Sequence, residues 1–257
     1  RAKGQTIHIC KVTWTQSRTK AEISKHLKKY FDVDWDKALM QVTLEVVRQF
    51  NECGELENIN AEPDTMTIEY ALDPIIPKCH PVTIFAPGGK GKSIFADYIA
   101  VLCQFGVPAD GDLAFLPLGQ VNVLYLDWEA SADTHRRYIT AIKRGLNITD
   151  SDQISYRHLE NSIFNVAESI RSDIAQKKIG LTILDSQMAA TANSGGYSTE
   201  AQLASAYHNI LRSWGCATLT LDHVSKQGMM QESTDNPYGP IVKVTLARSQ
   251  FLLQSST

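Results

Sequence analysis

The sequence predicts an α/β protein: a doubly wound, mostly parallel sheet with a small N-terminal α/β or helical module. Three observations carry this reading. From about residue 68, short apolar runs of strand length alternate with stretches of helical period. Gly106, Gly145 and Gly215 stand where helix C-terminal caps belong. A glycine-rich turn joins one of the apolar runs directly to a helical pattern, the connection expected of βα units.

The segment Thr6–Trp14 alternates like a half-buried strand. A polar helix is expected from Thr19 to Tyr30, and Asp34 or Asp36 is placed to cap a second one. In that second helix Leu39, Met40, Val46, Val47 and Phe50 recur at helical spacing, and Gly54 is placed to end it. Residues 1–54 therefore form the N-terminal module. Lys20, Lys25, Lys28 and Lys29 read as a solvated helix face, as an arm against a neighbouring subunit, or as part of the tail of an upstream primase-like domain. The acidic, proline-containing stretch 55–67 reads as a linker, and 68–257 as the main domain. The first residue is Arg1, which suggests a fragment of a longer chain. Within the main domain strands are expected at Val82–Phe85, Val121–Asp127, Leu181–Asp185, Ala217–Asp222, Val242–Leu246 and Phe251–Gln254. Helices are expected at 92–105, 132–145, 164–177 and 199–214.

Composition bounds the function. The chain has 257 residues, 43% hydrophobic and 21% charged, which suits one sizeable globular core. The formal net charge of −3 excludes a strongly basic nucleic-acid module. Contact with DNA would need a local patch, or a ring of subunits that concentrates a few cations at its centre. Five cysteines, an odd number without C-x-x-C spacing, argue for reduced thiols in a cytoplasmic setting rather than a disulfide framework or zinc site. No apolar run reaches the ~18 residues of a membrane span.

The sharpest motif is Ala86-Pro-Gly-Gly-Lys-Gly-Lys-Ser93, between the strand Pro81–Phe85 and the helix that opens at Ile94. This is the strand–loop–helix setting of a phosphate-binding Walker A loop. Gly88, Gly89 and Gly91 let backbone N–H groups turn inward toward phosphate oxygens, and the helix N-terminus adds its positive end. Pro87, Lys90 and Ile94 complete the expected ATP contacts. Lys92 is expected to reach the β- and γ-phosphates, and the Ser93 hydroxyl to bind Mg²⁺. Ala86 departs from the pattern, which usually has glycine there.

Such a loop needs a carboxylate for Mg²⁺ and a group to orient water. Two strands end in acids, Val121–Glu129 and Leu181–Ser186. One assignment gives Asp185 to the metal and Glu129 to the water, which suits Glu129 well if its strand neighbours the loop's strand. The rival assignment gives Asp127 to the metal with Glu129 as the adjacent base. Asp127 also reads simply as the cap of the turn after its strand.

A phosphate loop, an acid after the next strand and a strand ending Leu-Asp-Ser together resemble the RecA-like ATPase core. Thr220-Leu-Asp-His-Val-Ser-Lys226 resembles the strand-end histidine motif of RepA- and DnaB-type hexameric helicases. Tyr238–Ser249 resembles the closing segment of RepA-like ATPases. The resemblance spans roughly residues 68–254, with Pro240 where serine is usual and Phe251 near a common aromatic position. It implies an ATP site between subunits of a homo-oligomeric ring, a hexamer in these families. His223 would sense the γ-phosphate. Arg248, with Lys243, would reach a neighbour's nucleotide, although Arg248 on an edge strand also reads as a solvated residue. In these families mobile loops bind single-stranded DNA. The matching loops here hold Gly195 and Tyr197, and Lys226 and Tyr238, whose tyrosines would stack a base or pack locally. The expectation is a Mg²⁺-dependent ATPase and replicative-type DNA helicase of a phage, plasmid or mobile element. The alternative is an ATP-gated oligomeric loader or switch, KaiC-like or recombinase-like, that unwinds nothing.

Overall fold

The computed structural model describes residues 17–51, 68–109, 115–192, 194–224 and 246–254. The chain divides into two compact units, Arg1–Thr65 and Met66–Thr257. The expected strand Thr6–Trp14 and the linker 55–67 lie outside the described residues, as does Val242–Leu246 apart from Leu246.

In the first unit, α1 (Ser17–Leu27) and α2 (Trp35–Asn51) form a helical pair. Asp34 caps α2, its carboxylate accepting from the Lys37 amide at 3.2 Å, while Asp36 lies inside the helix and accepts from Lys28 Nζ at 2.7 Å. Helix α1 stops short of Tyr30. Met40 faces solvent rather than a core, at 61% exposure, so helical spacing alone misplaced it.

The second unit holds a short hairpin, β1 (Tyr70–Leu72) and β2 (Ile76–Pro77), and a six-stranded sheet. In chain order the sheet unit runs β3 (Pro81–Ala86), α3 (Lys92–Phe105), β4 (Asn122–Asp127), α4 (Ala132–Gly145), β5 (Ser155–His158), α5 (Ile163–Lys177), β6 (Ile179–Asp185), α6 (Gln187–Ala190), α7 (Glu200–Ser213), β7 (Ala217–His223) and β8 (Ser249–Leu252). The strand order is β5-β4-β6-β7-β3-β8, and every pair in it is parallel.

Side chains alternate across a strand, so each central strand feeds two cores. Val123, Tyr125, Leu181 and Ile183 join Ala96, Ile99 and Leu102 of α3 on one face. Leu124, Leu126 and Leu184 join Ile163 and Ile170 of α5 and Tyr207 and Leu211 of α7 on the other. Burial on both faces is why these strands read as unbroken apolar runs.

Several expectations need correcting. β5 escapes the pattern because Ser155-Tyr-Arg-His158 is a half-buried edge strand with one aromatic residue. Gly145 is the last residue of α4, whose cap is Leu146, and the left-handed residue that follows is Asn147 at φ 53°. β8 begins two residues before its expected start. The condition attached to Glu129 is also not met: β4 does not neighbour β3. Two strands, β6 and β7, stand between them.

Candidate active site

Because the strands are parallel, their C-terminal ends share one edge of the sheet, and the loops leaving that edge converge. Ala86 of β3 is in register with His223 of β7, and Asp127 of β4 with Asp185 of β6. The site is built from those four strand ends.

The phosphate loop leaves β3 after Ala86 and enters α3 at Lys92. Gly89 and Gly91 hold φ of +74° and +83°, a region that side chains with a Cβ adopt only at a cost. Gly91 is the residue before the helix. Ala86, by contrast, is a buried strand residue and not among the left-handed positions, so the departure from glycine imposes no strain. Pro87 is half-buried, Gly88 and Lys90 are exposed, and Ile94 is 44% exposed at the first turn of α3.

Lys92 is buried. Its Nζ donates to the carbonyls of Ala86 at 2.9 Å and Pro87 at 3.2 Å, and lies 3.3 Å from His223 Nδ1. Burial lowers its pKa, opposed by the charges of Asp185, Glu129 and Asp222. A lysine ammonium only donates, so Nδ1 of His223 is the acceptor and Nε2 carries the ring proton. That Nε2 faces Glu129 Oε1 at 3.5 Å. Ser186 Oγ also donates to Glu129 Oε1. Hydrogen bonding to His223 depresses the Glu129 pKa, against the opposing pull of burial, so its carboxylate is ionised at neutral pH. Glu129 thus reaches the loop's lysine through His223, although its strand lies three positions away in the sheet. The turn after β4 carries it there, a route that strand adjacency does not anticipate.

Ser93 Oγ donates to Asp185 Oδ2 at 2.6 Å, and Tyr125 Oη donates to the same oxygen at 3.2 Å. Burial raises the Asp185 pKa, the two donors oppose it, and the nearby charges of Glu129 and Asp127 raise it further. A hydroxyl and a carboxylate, held together beside a second carboxylate, suit a hard divalent cation that takes its remaining ligands from phosphate and water. Among the described residues no group of three or more His, Cys, Asp or Glu side chains could hold a metal alone. Mg²⁺ in phosphate loops needs no such cage. The peptide between Asp185 and Ser186 is cis.

Asp127 does something else. Its Oδ1 accepts from the amides of Glu129 at 2.8 Å and Ala130 at 2.9 Å, capping the turn. Its Oδ2 accepts from Tyr156 Oη at 2.8 Å and faces His135 Nε2 at 3.2 Å. With every direction occupied and no exposure, Asp127 is a poor metal ligand, and the carboxylate beside Ser93 is Asp185. Tyr125, Tyr156, His135 and Asp97 were not anticipated as parts of this region, and Ser186 only as the end of the Leu-Asp-Ser strand. A signal existed for two of them: Asp97 interrupts the apolar run of α3, and His135 shares a helical face with Ile139 and Ile142 of α4.

The remaining expected residues stand apart. Arg248 is exposed at the start of β8, where its amide donates to Pro81 O at 2.8 Å. That is the N-terminal edge of the sheet, five strand residues and roughly 17 Å from the phosphate loop. Gly195 is exposed. Tyr197 leans on Phe164 with ring centroids 4.9 Å apart and remains 37% exposed. Lys226, Tyr238 and Lys243 lie outside the described residues.

A left-handed glycine loop between strand and helix, a loop serine bonded to a strand-end aspartate, and one strand separating theirs in a parallel sheet define a RecA-like P-loop ATPase fold. A family model described as an AAA domain matches residues 55–229, and the chain belongs to that family. Its fold is similar to that of a KaiC-like protein from the hyperthermophilic archaeon Pyrococcus horikoshii OT3. That likeness has a TM-score of 0.50 at 11% identity and covers 73% of this chain and 81% of the other. Among curated proteins none matches. Among the described residues no helix is long and apolar enough to cross a membrane.

Proposed function

We propose that this protein hydrolyses ATP with Mg²⁺, by attack of water on the γ-phosphate. One observation carries the reading: Lys92, Ser93, Asp185, Glu129 and His223 converge from four different strand ends at the mouth of the glycine loop. Ser93 and Asp185 would hold Mg²⁺, whose charge would offset that of the phosphates. Gly88 to Ser93 cradle the phosphates through backbone amides, and Lys92 exchanges its carbonyl partners for phosphate oxygens. Glu129, ionised and steered by Ser186, accepts a hydrogen bond from the attacking water. His223, shared between Lys92 and Glu129, reports the γ-phosphate to both. The test is Mg²⁺–ATP turnover in purified protein. Lys92→Ala or Glu129→Gln should lower kcat by ~10²-fold or more. Full turnover in folded Glu129→Gln would overturn the assignment.

We also infer that the site is completed by a second copy in a homo-oligomeric ring, a hexamer by analogy with RepA- and DnaB-type helicases, acting on single-stranded DNA. Arg248 supports this, since it lies too far from its own chain's phosphate loop to serve it. A cation supplied in trans can accelerate phosphoryl transfer by ~10³–10⁵. Mixing Arg248→Ala with Lys92→Ala subunits should restore turnover that each lacks alone. The exposed Gly195–Tyr197 turn is the described candidate for contact with DNA, with Lys226, Tyr238 and Lys243 as further ones. Stimulation of turnover by single-stranded DNA, with strand displacement, would favour the helicase. A formal net charge of −3 favours the second reading, an ATP-gated switch or loader. That reading predicts assembly with ATP and no response to DNA.

A further inference from the structure

Three buried ionisable side chains have no part in the chemistry proposed above. Asp97 on α3, His135 on α4 and Asp127 at the end of β4 are 0–3% exposed and form one line of contacts. His135 Nδ1 lies 2.9 and 3.1 Å from the two oxygens of Asp97, and Nε2 lies 3.2 Å from Asp127 Oδ2. Burial raises the Asp97 pKa and the bond to His135 lowers it; with both carboxylates ionised, each only accepts, so both ring nitrogens donate and the ring is an imidazolium. Tyr125 lies against it, with ring centroids 4.4 Å apart, and Tyr156 lies beyond at 5.5 Å.

The line has two functional ends. Asp97 stands five residues after Lys92 on the helix that the phosphate loop opens. Asp127 holds the Glu129 and Ala130 amides on its other oxygen. We propose that Asp97, His135 and Asp127 act as a positioning clamp: His135 ties the turn carrying Glu129 to the phosphate-loop helix and fixes the distance across which water meets the γ-phosphate. His135 is a positioning residue, since it touches none of the reacting groups. The physical reason for such a clamp is that β3 and β4 are not adjacent, so no backbone ladder sets the spacing between Lys92 and Glu129. A misplacement of ~1 Å at such a site can cost ~10²-fold in rate.

The inference rests on the ATPase reading, and its test separates the two. His135→Ala and the isosteric Asp97→Asn are compared with wild type in three measurements. These are kcat for Mg²⁺–ATP, Kd for a nonhydrolysable ATP analogue with Mg²⁺, and hydrogen exchange at the Glu129 and Ala130 amides against amides of β6 and β7. The clamp predicts that His135→Ala lowers kcat by ~10–100-fold and Asp97→Asn by less, with Kd unchanged within about two-fold. It also predicts that the Glu129 and Ala130 amides lose protection while β6 and β7 keep theirs. Unchanged kcat in both folded variants would overturn it, as would a parallel loss of nucleotide affinity or a uniform loss of protection. If His135→Ala does not fold, Asp97→Asn decides, and failure of both to fold assigns the three residues to the scaffold instead. If wild type hydrolyses no ATP, the ATPase reading falls, while selective loss of protection at the Glu129 turn still upholds the clamp.

Discussion

Two polar clusters share the C-terminal edge of this sheet, and they use the same chemical groups, an imidazole beside carboxylates, to opposite ends. In one, His223 and Glu129 face each other with side chains 28% and 38% exposed. In the other, His135 lies between two aspartates that are wholly buried. The open pair has partners that can be exchanged for a phosphate or a water. The closed triad has none to spare: Asp127 accepts on both oxygens and His135 donates from both nitrogens. Burial and hydrogen-bond saturation, not residue type, separate groups that can act on a ligand from groups that hold the actors in place.

The largest test of that comparison is to remove one acid from each cluster. Glu129→Gln should abolish most turnover and leave thermal stability nearly unchanged, because the group is accessible and water can replace its partners. Asp127→Ala should do the reverse first. It leaves His135 charged, buried and bound on one side only, and strands two turn amides. Losses from breaking a buried pair run to ~3–5 kcal/mol. For a unit of this size that is a fall in Tm of roughly 10 °C. Equal losses of stability in the two variants would erase the distinction.

A smaller effect follows from pH. His135 faces Asp97 from α3, Asp127 and Tyr125 from β4, and Tyr156 from β5. Burial alone would lower its pKa, but the bonds to Asp127 and Asp97 outweigh burial and raise it from 6.5 to about 9. A histidine raised on folding stabilises fully below its unfolded pKa, and that stability is lost as pH rises through the folded value. Stability should therefore be level near pH 6 and fall between about pH 7 and 9.5. The fall should be on the order of 3 kcal/mol, from the size of that shift. Asp127 works at the other end of the scale. Burial would raise its pKa, yet His135, the two turn amides and Tyr156 hold it well below the usual carboxylate range, so its contribution is lost only in acid. Thermal melts across this range check both signs, and a flat profile from pH 7 to 9.5 would mean that His135 is neutral.

The sequence carried the open cluster better than the closed one, for physical reasons. The phosphate loop and the strand ends at Asp185, Glu129 and His223 are local patterns, each legible within ten residues. The parallel sheet was legible because strands buried on both faces are continuously apolar. Strand order was not legible, since nothing local states that β7 lies between β3 and β6, and so the adjacency on which Glu129's placement was made conditional could not be settled from sequence. The triad was harder still. Asp97, Asp127 and His135 come from three elements, and their meaning exists only where those elements pack. Each carried a local anomaly, an acid or imidazole at an inward position of its helix or strand, but an anomaly does not name its partner.

The smallest expected effect concerns Ala86, where the motif usually has glycine. If the loop needed a flexible residue there, Ala86→Gly would raise activity. The structure argues otherwise. Ala86 is the last residue of β3, in register with His223, with its side chain fully buried and its carbonyl accepting from Lys92. The turn's left-handed residues are Gly89 and Gly91, further along. Glycine at position 86 would add backbone freedom to the unfolded chain and remove a buried methyl, lowering stability by ~1 kcal/mol. It would leave kcat within two-fold, because the carbonyl that holds Lys92 is unchanged. Denaturant melts and turnover measured on the same preparation decide the point. A gain in turnover without loss of stability would show that the loop bends at its strand end during the cycle, and would place the flexible joint of the open cluster one residue before Pro87.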